Sequence, residues 1–213
     1  MKNKKIRLAL LIGRGGRLAA VYERAKNNPL VDLVLVVSHK KESPGIDWAK
    51  ERGLEAIYFR LNDWQAAGQD RKSYNLELAK ILKQRKINLV VMAGWDLIMS
   101  NEFLKEFPGA VMNIHPSLCP AFPGLDSEKQ ALDYGVKYTG ATLHFVPDDG
   151  VDTGPIILQR VVPIEPNETV ETLQEKIHQE ENEILCQGIK LFAEGKLKIE
   201  GRKVIIKNGF LFF

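Results

Sequence analysis

The sequence predicts an α/β fold: a Rossmann-like, mostly parallel sheet with helices on both faces, and antiparallel additions in the C-terminal half. Three observations carry this reading. Over the first hundred residues, short β-branched runs alternate with helical patterns, the signature of repeated βα units. The runs are nearly continuous in apolar residues, as strands covered on both faces must be. Beyond residue 110 the texture changes to alternating strands, a proline-rich loop and one long amphipathic helix.

Taken in order, residues 6–12 (IRLALLI) form the first strand and GRGGR the turn after it. Leu18, Val21, Tyr22 and Ala25 then fall at helical spacing as far as Asn27-Asn28-Pro29. Residues 31–37 (VDLVLVV) are the second strand, 45–52 a helix closed by Gly53, and 55–60 (EAIYFR) a third strand. A helix is expected over 73–86, with Tyr74, Leu78, Ile81 and Leu82 on one face, followed by the buried strand INLVVMAG. AVMNIHPS is a strand running into a loop with Pro116, Pro120, Pro123 and Gly124. Residues 127–134 read as a helix, and TGATLHFV and GPIILQRVVPI as antiparallel strands. Pro166-Asn167-Glu168-Thr169 opens a long helix carried by Leu173, Ile177, Ile184, Leu185 and Ile189, and KLKIEGRKVIIKNGF closes the chain as a hairpin.

Composition narrows the function classes. The chain has 213 residues, 45% of them hydrophobic and 27% charged, the balance of a globular protein that forms its own core. Thirty Lys+Arg against 27 Asp+Glu leave +3, spread along the chain apart from Lys2, Lys4, Lys5 and Arg7, which argues against a nucleic-acid partner. No apolar run reaches membrane-span length, and the basic start leads into no cleavage site, so neither membrane nor secretion is expected. Cys119 and Cys186 have neither zinc-site spacing nor the count of a disulfide framework, and the expected setting is cytoplasmic.

Gly13-Arg14-Gly15-Gly16-Arg17 joins a buried strand to a helix, where backbone N–H groups and the helix start can cradle an anion. A plain tight turn is the alternative, and the two arginines favour the anion. Position 18 is Leu and the second strand ends Ser38-His39-Lys40 without the acidic ribose ligand, so a nicotinamide dinucleotide is not expected. No Gly-Lys-Ser/Thr follows, which removes the Walker reading.

In the strand MNIHP, Asn113 and His115 lie two apart and share a face at a carboxyl end. An amide donor beside an imidazole suits a developing oxyanion, as in acyl transfer, and such a His gains from a carboxylate. Asp148, Asp149 and Asp152 are the candidates. His115, His144 and His178 lack metal-ligand spacing, so no metal is expected, and no G-x-S-x-G supports a serine hydrolase.

Together, Asn113-Ile114-His115-Pro116-Ser117-Leu118, Pro120-x-x-Pro123-Gly124, Gln130-Ala131-Leu132, the run GATLHFV at 140–146 and the run VDTGPIILQ at 151–159 resemble the folate-dependent formyltransferases, most closely their phosphoribosylglycinamide formyltransferase branch. The resemblance implies one formyltransferase domain over 1–213, with a phosphate-binding half at 1–100 and a catalytic and folate-binding half at 101–213. It implies formyl transfer from 10-formyltetrahydrofolate to the amine of 5-phosphoribosylglycinamide, in purine biosynthesis, through a tetrahedral oxyanion. By resemblance Asn113, His115 and Asp152 are the catalytic trio, with His115 also the general acid and Asp152 sustaining its charge. Gly15, Gly16 and Arg17 match the substrate phosphate loop and Glu181 the ribose-binding glutamate. Asp96, Leu97, Ile98 and Met99 match the folate segment, Asn113 is counted with them as folate-binding, Arg71 matches a basic residue near the folate tail, and loop 146–152 would close over the pteridine.

Departures from the pattern are specific. The family's loop usually reads Ser-Gly-x-Gly-Ser-Asn, so two hydroxyls and an amide are lost here and Arg17 is gained. Asp126 and Asn182 stand where histidines are usual, Leu97 where an arginine is usual, and Pro147 lengthens the loop before Asp152. Other readings are formyl transfer to a different amine, or a non-catalytic nucleotide- or folate-binding module. The tRNA-directed and formyl-hydrolase relatives carry extra domains for which the chain length leaves no expected room. Partners are expected to be small molecules, with the chain a monomer or homodimer.

Overall fold

The computed structural model describes residues 5–147 and 151–207. Asp148 and Asp149, the middle of the expected 146–152 loop, lie outside the described residues, as do Lys2, Lys4 and the last three residues of the expected closing hairpin. The chain divides into two compact units, Met1–Met112 and Asn113–Phe213.

The first unit is built on four parallel strands, β1 (Ile6–Ile12), β2 (Val31–Ser38), β3 (Glu55–Tyr58) and β4 (Leu89–Ala93), in the order β3-β2-β1-β4. Every residue of β4 is buried, as expected for a strand covered on both faces. Ile12 pairs with both Ser38 and Ala93, so β1, β2 and β4 end level. Their three following loops therefore leave from one edge of the sheet, the edge where open α/β sheets bind ligands.

Helix α1 (Leu18–Lys26) buries Leu18, Val21 and Ala25, the expected stripe. Helix α2 (Pro44–Glu51) starts on a proline, whose fixed φ suits a first helical position. Two short helices, α3 (Leu61–Ala66) and α5 (Asn101–Glu106), fall in stretches where no element was expected. Between them α4 (Arg71–Gln84) begins two residues before the expected start, because the Asp70 carboxylate caps it by accepting from the Ser73 N–H at 2.7 Å. Ile87 does not join β4 as expected: its N–H turns back to the Leu82 carbonyl and closes the helix, with Lys86 left-handed at φ +55°.

In the second unit the strand order is β5 (Val111–His115), β6 (Tyr138–Phe145), β7 (Ile156–Pro163), β9 (Lys203–Ile206), β8 (Leu197–Glu200). The β6–β7 and β8–β9 pairs are antiparallel, the expected C-terminal additions. Helix α6 (Ser127–Tyr134) matches its expected bounds. Helix α7 (Val170–Ala193) starts where the sequence places it, with Thr169 and Thr172 forming a reciprocal capping box. It buries Leu173, Ile177, Ile184, Leu185 and Ile189. At Gly188 a Cβ would stand 2.0 Å from Leu143 Cδ2, so the missing side chain is what lets α7 lie against β6.

Candidate active site

Asn113 and His115 occupy alternate positions of β5 and so share a face, while Met112 and Ile114 between and beside them are buried. The loop after β5 is fixed by a buried network. Thr142 Oγ1 on β6 donates to the Ser117 carbonyl at 2.6 Å and accepts from the Cys119 N–H at 3.0 Å. Gln159 on β7 donates to Thr142 Oγ1 at 2.9 Å and to the Cys119 carbonyl at 3.1 Å, and Ser117 Oγ donates to the Ala121 carbonyl at 2.5 Å. Held this way, and with Phe122 left-handed at φ +51°, the loop sets the Phe122 carbonyl 2.8 Å from His115 Nε2.

Asp152 is the expected carboxylate that reaches the pair. Its Oδ2 is 3.3 Å from His115 Nδ1 and accepts the Gly124 N–H at 3.0 Å. Its Oδ1 accepts from Asn113 Nδ2 at 3.2 Å and lies 3.6 Å from His144 Nε2. The Asp152 side chain is 8% exposed and its backbone is left-handed at φ +54°, a conformation that aspartate tolerates better than most residues. Burial alone would raise its carboxyl pKa. The nearby His144 ring, the Gly124 N–H and the charge of His115 together outweigh that and hold it below the usual carboxylate range.

Both ring nitrogens of the buried His115 thus face oxygens, one carboxylate and one carbonyl. Only a ring protonated at both nitrogens donates to both. Asn113 carries two amide hydrogens, and its Nδ2 also lies 3.4 Å from His144 Nε2. The cluster therefore brings an amide, an imidazole and one carboxylate together, the groups an acyl-transfer oxyanion calls for, with His115 Nε2 on the Phe122 carbonyl and Asn113 Nδ2 on Asp152 in the free protein.

The remaining expected residues fall in both units. Gly15 takes φ +100°, and a Cβ there would stand 2.7 Å from Gly45 Cα, so only glycine fits at this close approach. A Cβ on Gly16 would meet open space. Arg17 precedes α1 as its N-cap residue. Arg71 is exposed at the first position of α4. After β4, Met99 is buried, Leu97 half-buried and Ile98 57% exposed, while the Asp96 carboxylate meets His39 and Lys40. In the second unit, Glu181 is buried on α7 with its Oε2 3.9 Å from His178 Nε2.

Residues 6–189 match the formyl transferase family. The chain belongs to that family. Its similarity to glycinamide ribonucleotide transformylase 1 from Symbiobacterium toebii gives a TM-score of 0.91 at 39% identity, covering 98% of this chain and 96% of that one. Phosphoribosylglycinamide formyltransferase of Escherichia coli (strain K12) is 33% identical over 193 residues, 90% of this chain and 89% of that protein. The trifunctional purine biosynthetic protein adenosine-3 of Drosophila pseudoobscura pseudoobscura is 37% identical over 196 residues, 90% of this chain but 14% of that much longer protein.

Within this formyl transferase, the motifs around Asn113, His115 and Asp152 do not by themselves mark His144, the Gly124 N–H or the Phe122 carbonyl as parts of the cluster. A signal for His144 existed: it sits two residues after Thr142 on β6 and so shares a face with a side chain that holds the β5 loop. The two backbone groups left no trace in side-chain chemistry.

Proposed function

We propose that the protein transfers the formyl group of 10-formyltetrahydrofolate to the amine of 5-phosphoribosylglycinamide. The observation that carries the proposal is the convergence of Asn113 and His115 on the Asp152 carboxylate. In the proposed reaction the acceptor amine attacks the formyl carbon, a C–N bond forms and the carbonyl oxygen becomes an oxyanion. In this reading the oxyanion takes the place of the Phe122 carbonyl at His115 Nε2, so that Asn113 Nδ2–H and the His115 imidazolium stabilise the charge while Asp152, on Nδ1, sustains the imidazolium. On collapse the bond from the formyl carbon to the folate nitrogen breaks. His115 gives the departing nitrogen its proton, and the proton lost by the attacking amine restores the ring.

On the first unit, the loop of Gly15, Gly16 and Arg17 is assigned to the acceptor phosphate, for which a backbone pinned at φ +100° ahead of a helix start is suited. The apolar run Leu97, Ile98 and Met99 is assigned to the folate, and Arg71 to its acidic tail. On the second unit Glu181 is assigned to the ribose hydroxyls. We place the enzyme among small-molecule enzymes of purine biosynthesis, in the cytoplasm. The deciding assay supplies purified protein with both substrates and follows deformylated folate. Turnover that requires the phosphoribosylated acceptor is expected; folate consumption only with another amine would move the acceptor, and no consumption would defeat the proposal.

A further inference from the structure

Three loops leave the level ends of β1, β2 and β4, and the structure ties them to one another. Ser38 Oγ at the end of β2 donates to the Gly13 carbonyl at 2.7 Å and accepts from the Lys40 N–H at 3.3 Å. The loops after β1 and β4 touch backbone to backbone: a Cβ on Gly13 would stand 2.5 Å from the Gly94 carbonyl oxygen, and Gly94 takes φ +81°. The third side runs through Asp96. Its Oδ1 lies 2.6 Å from His39 Nε2 and its Oδ2 accepts from Lys40 Nζ at 2.5 Å. The His39 ring is buried edge-on against the Trp95 indole, with centroids 4.6 Å apart.

The charges sort themselves. Burial pushes the His39 ring below its ordinary pKa against the pull of Asp96, and Lys40 adds to the fall. Burial would raise Asp96, but the hydrogen bond from Lys40 and the facing charges of His39 and Lys40 hold it below the usual carboxylate range. Asp96 is therefore an anion with Lys40 as its counter-ion. An aspartate with one oxygen held by Lys40 and the other set against the His39 ring has a different use from one that reaches into a ligand.

We infer that Asp96 is a positioning residue: held by Lys40 and lying against His39, it fixes the segment 94–99 onto the end of β2 and thereby sets where Leu97, Ile98 and Met99 meet the folate. The inference rests on the assignment of this segment to the folate. Asp96 acts through the segment's backbone, so its loss loosens the donor site while leaving the chemistry at Asn113, His115 and Asp152 in place.

The test compares Asp96→Asn, Lys40→Met and the double substitution. Each single change is expected to raise KM for 10-formyltetrahydrofolate about tenfold with kcat within about threefold, as for a misplaced positioning element. The double variant is expected to do no worse than the worse single one, because both remove the same contact. An unchanged donor KM in Lys40→Met, a half-exposed side chain whose loss spares the core, would overturn the inference even if Asp96→Asn fails to fold. A second readout needs no turnover. With Trp48→Phe and Trp64→Phe leaving Trp95 as the sole indole, Asp96→Asn is expected to move emission to longer wavelength and open it to acrylamide quenching. Unaltered emission would reject the positioning role. If the unsubstituted protein turned over no folate, the formyl-transfer proposal would fall and the emission comparison would still decide this one.

Discussion

Asp152 Oδ2 stands between the His115 ring, at 3.3 Å from Nδ1, and the Gly124 N–H, at 3.0 Å. The Gly124 amide holds the same oxygen that faces the ring, so the charge that His115 meets is held in place before any substrate arrives. Such preorganisation is where electrostatic catalysis gets most of its effect.

The first prediction follows from that contact. Asp152→Asn keeps the shape and the left-handed backbone, which asparagine also tolerates. It removes the charge opposite His115, and kcat for formyl transfer is expected to fall by roughly 10²–10⁴-fold with the fold intact. Circular dichroism alongside the folate assay checks both halves; near-normal turnover would remove Asp152 from the mechanism.

The same carboxyl makes stability depend on acid. Its pKa in the folded protein lies below the ordinary value, so the unfolded chain takes up this proton first as pH falls. The stability it contributes is complete above about pH 4, the ordinary aspartate value, and is lost as pH drops through the lower folded value. The thermal midpoint of Asp152→Asn should therefore fall less steeply between roughly pH 5 and pH 3 than that of the unsubstituted protein. Parallel slopes in the two melting series would contradict the shift.

How much of this was legible in the sequence depended on the range of the interaction. Helix α7 was readable because its signals are local: Thr169 as cap and a 3.6-residue apolar stripe from Leu173 to Ile189. Helices α3 and α5 were not. Helix α3 buries no residue and α5 only Phe103 and Leu104, so neither carries a stripe long enough to read. At the site, the strand period placed Asn113 and His115 on one face, and the family resemblance picked Asp152 from a loop of three aspartates. Chain geometry supplied the rest: Phe122 O and Gly124 N–H join the cluster through a loop path that no local pattern encodes, and His144 comes to it from β6.

Gly154 tests the support beneath Asp152. A Cβ there would lie 1.7 Å from the Phe145 carbonyl oxygen, at the point where the Phe145 N–H donates to the Pro155 carbonyl and β6 meets the start of β7. Backbone must move to admit it. Gly154→Ala is expected to cost about 2–4 kcal/mol of stability, read from denaturant unfolding, and to lower kcat because Asp152 lies two residues away. A variant as stable as the parent would mean that this approach is looser than the structure has it.

The glycine loop offers the sharpest test of the phosphate assignment. Gly15 combines φ +100° with a backbone approach to Gly45, and an alanine there faces both a disfavoured backbone angle and a Cβ 2.7 Å from Gly45 Cα. The strain alone is of the order of 1–3 kcal/mol, and the loop relieves it most readily by moving away from Gly45. That turns the amides ahead of α1 out of position. Gly15→Ala should therefore raise KM for the phosphorylated acceptor about tenfold or more, while KM for the folate donor stays near its original value. Gly16→Ala, whose Cβ meets nothing within 4 Å, is the matched control and should leave stability unchanged. Equal acceptor KM values for Gly15→Ala and the parent would show that the anion binds elsewhere.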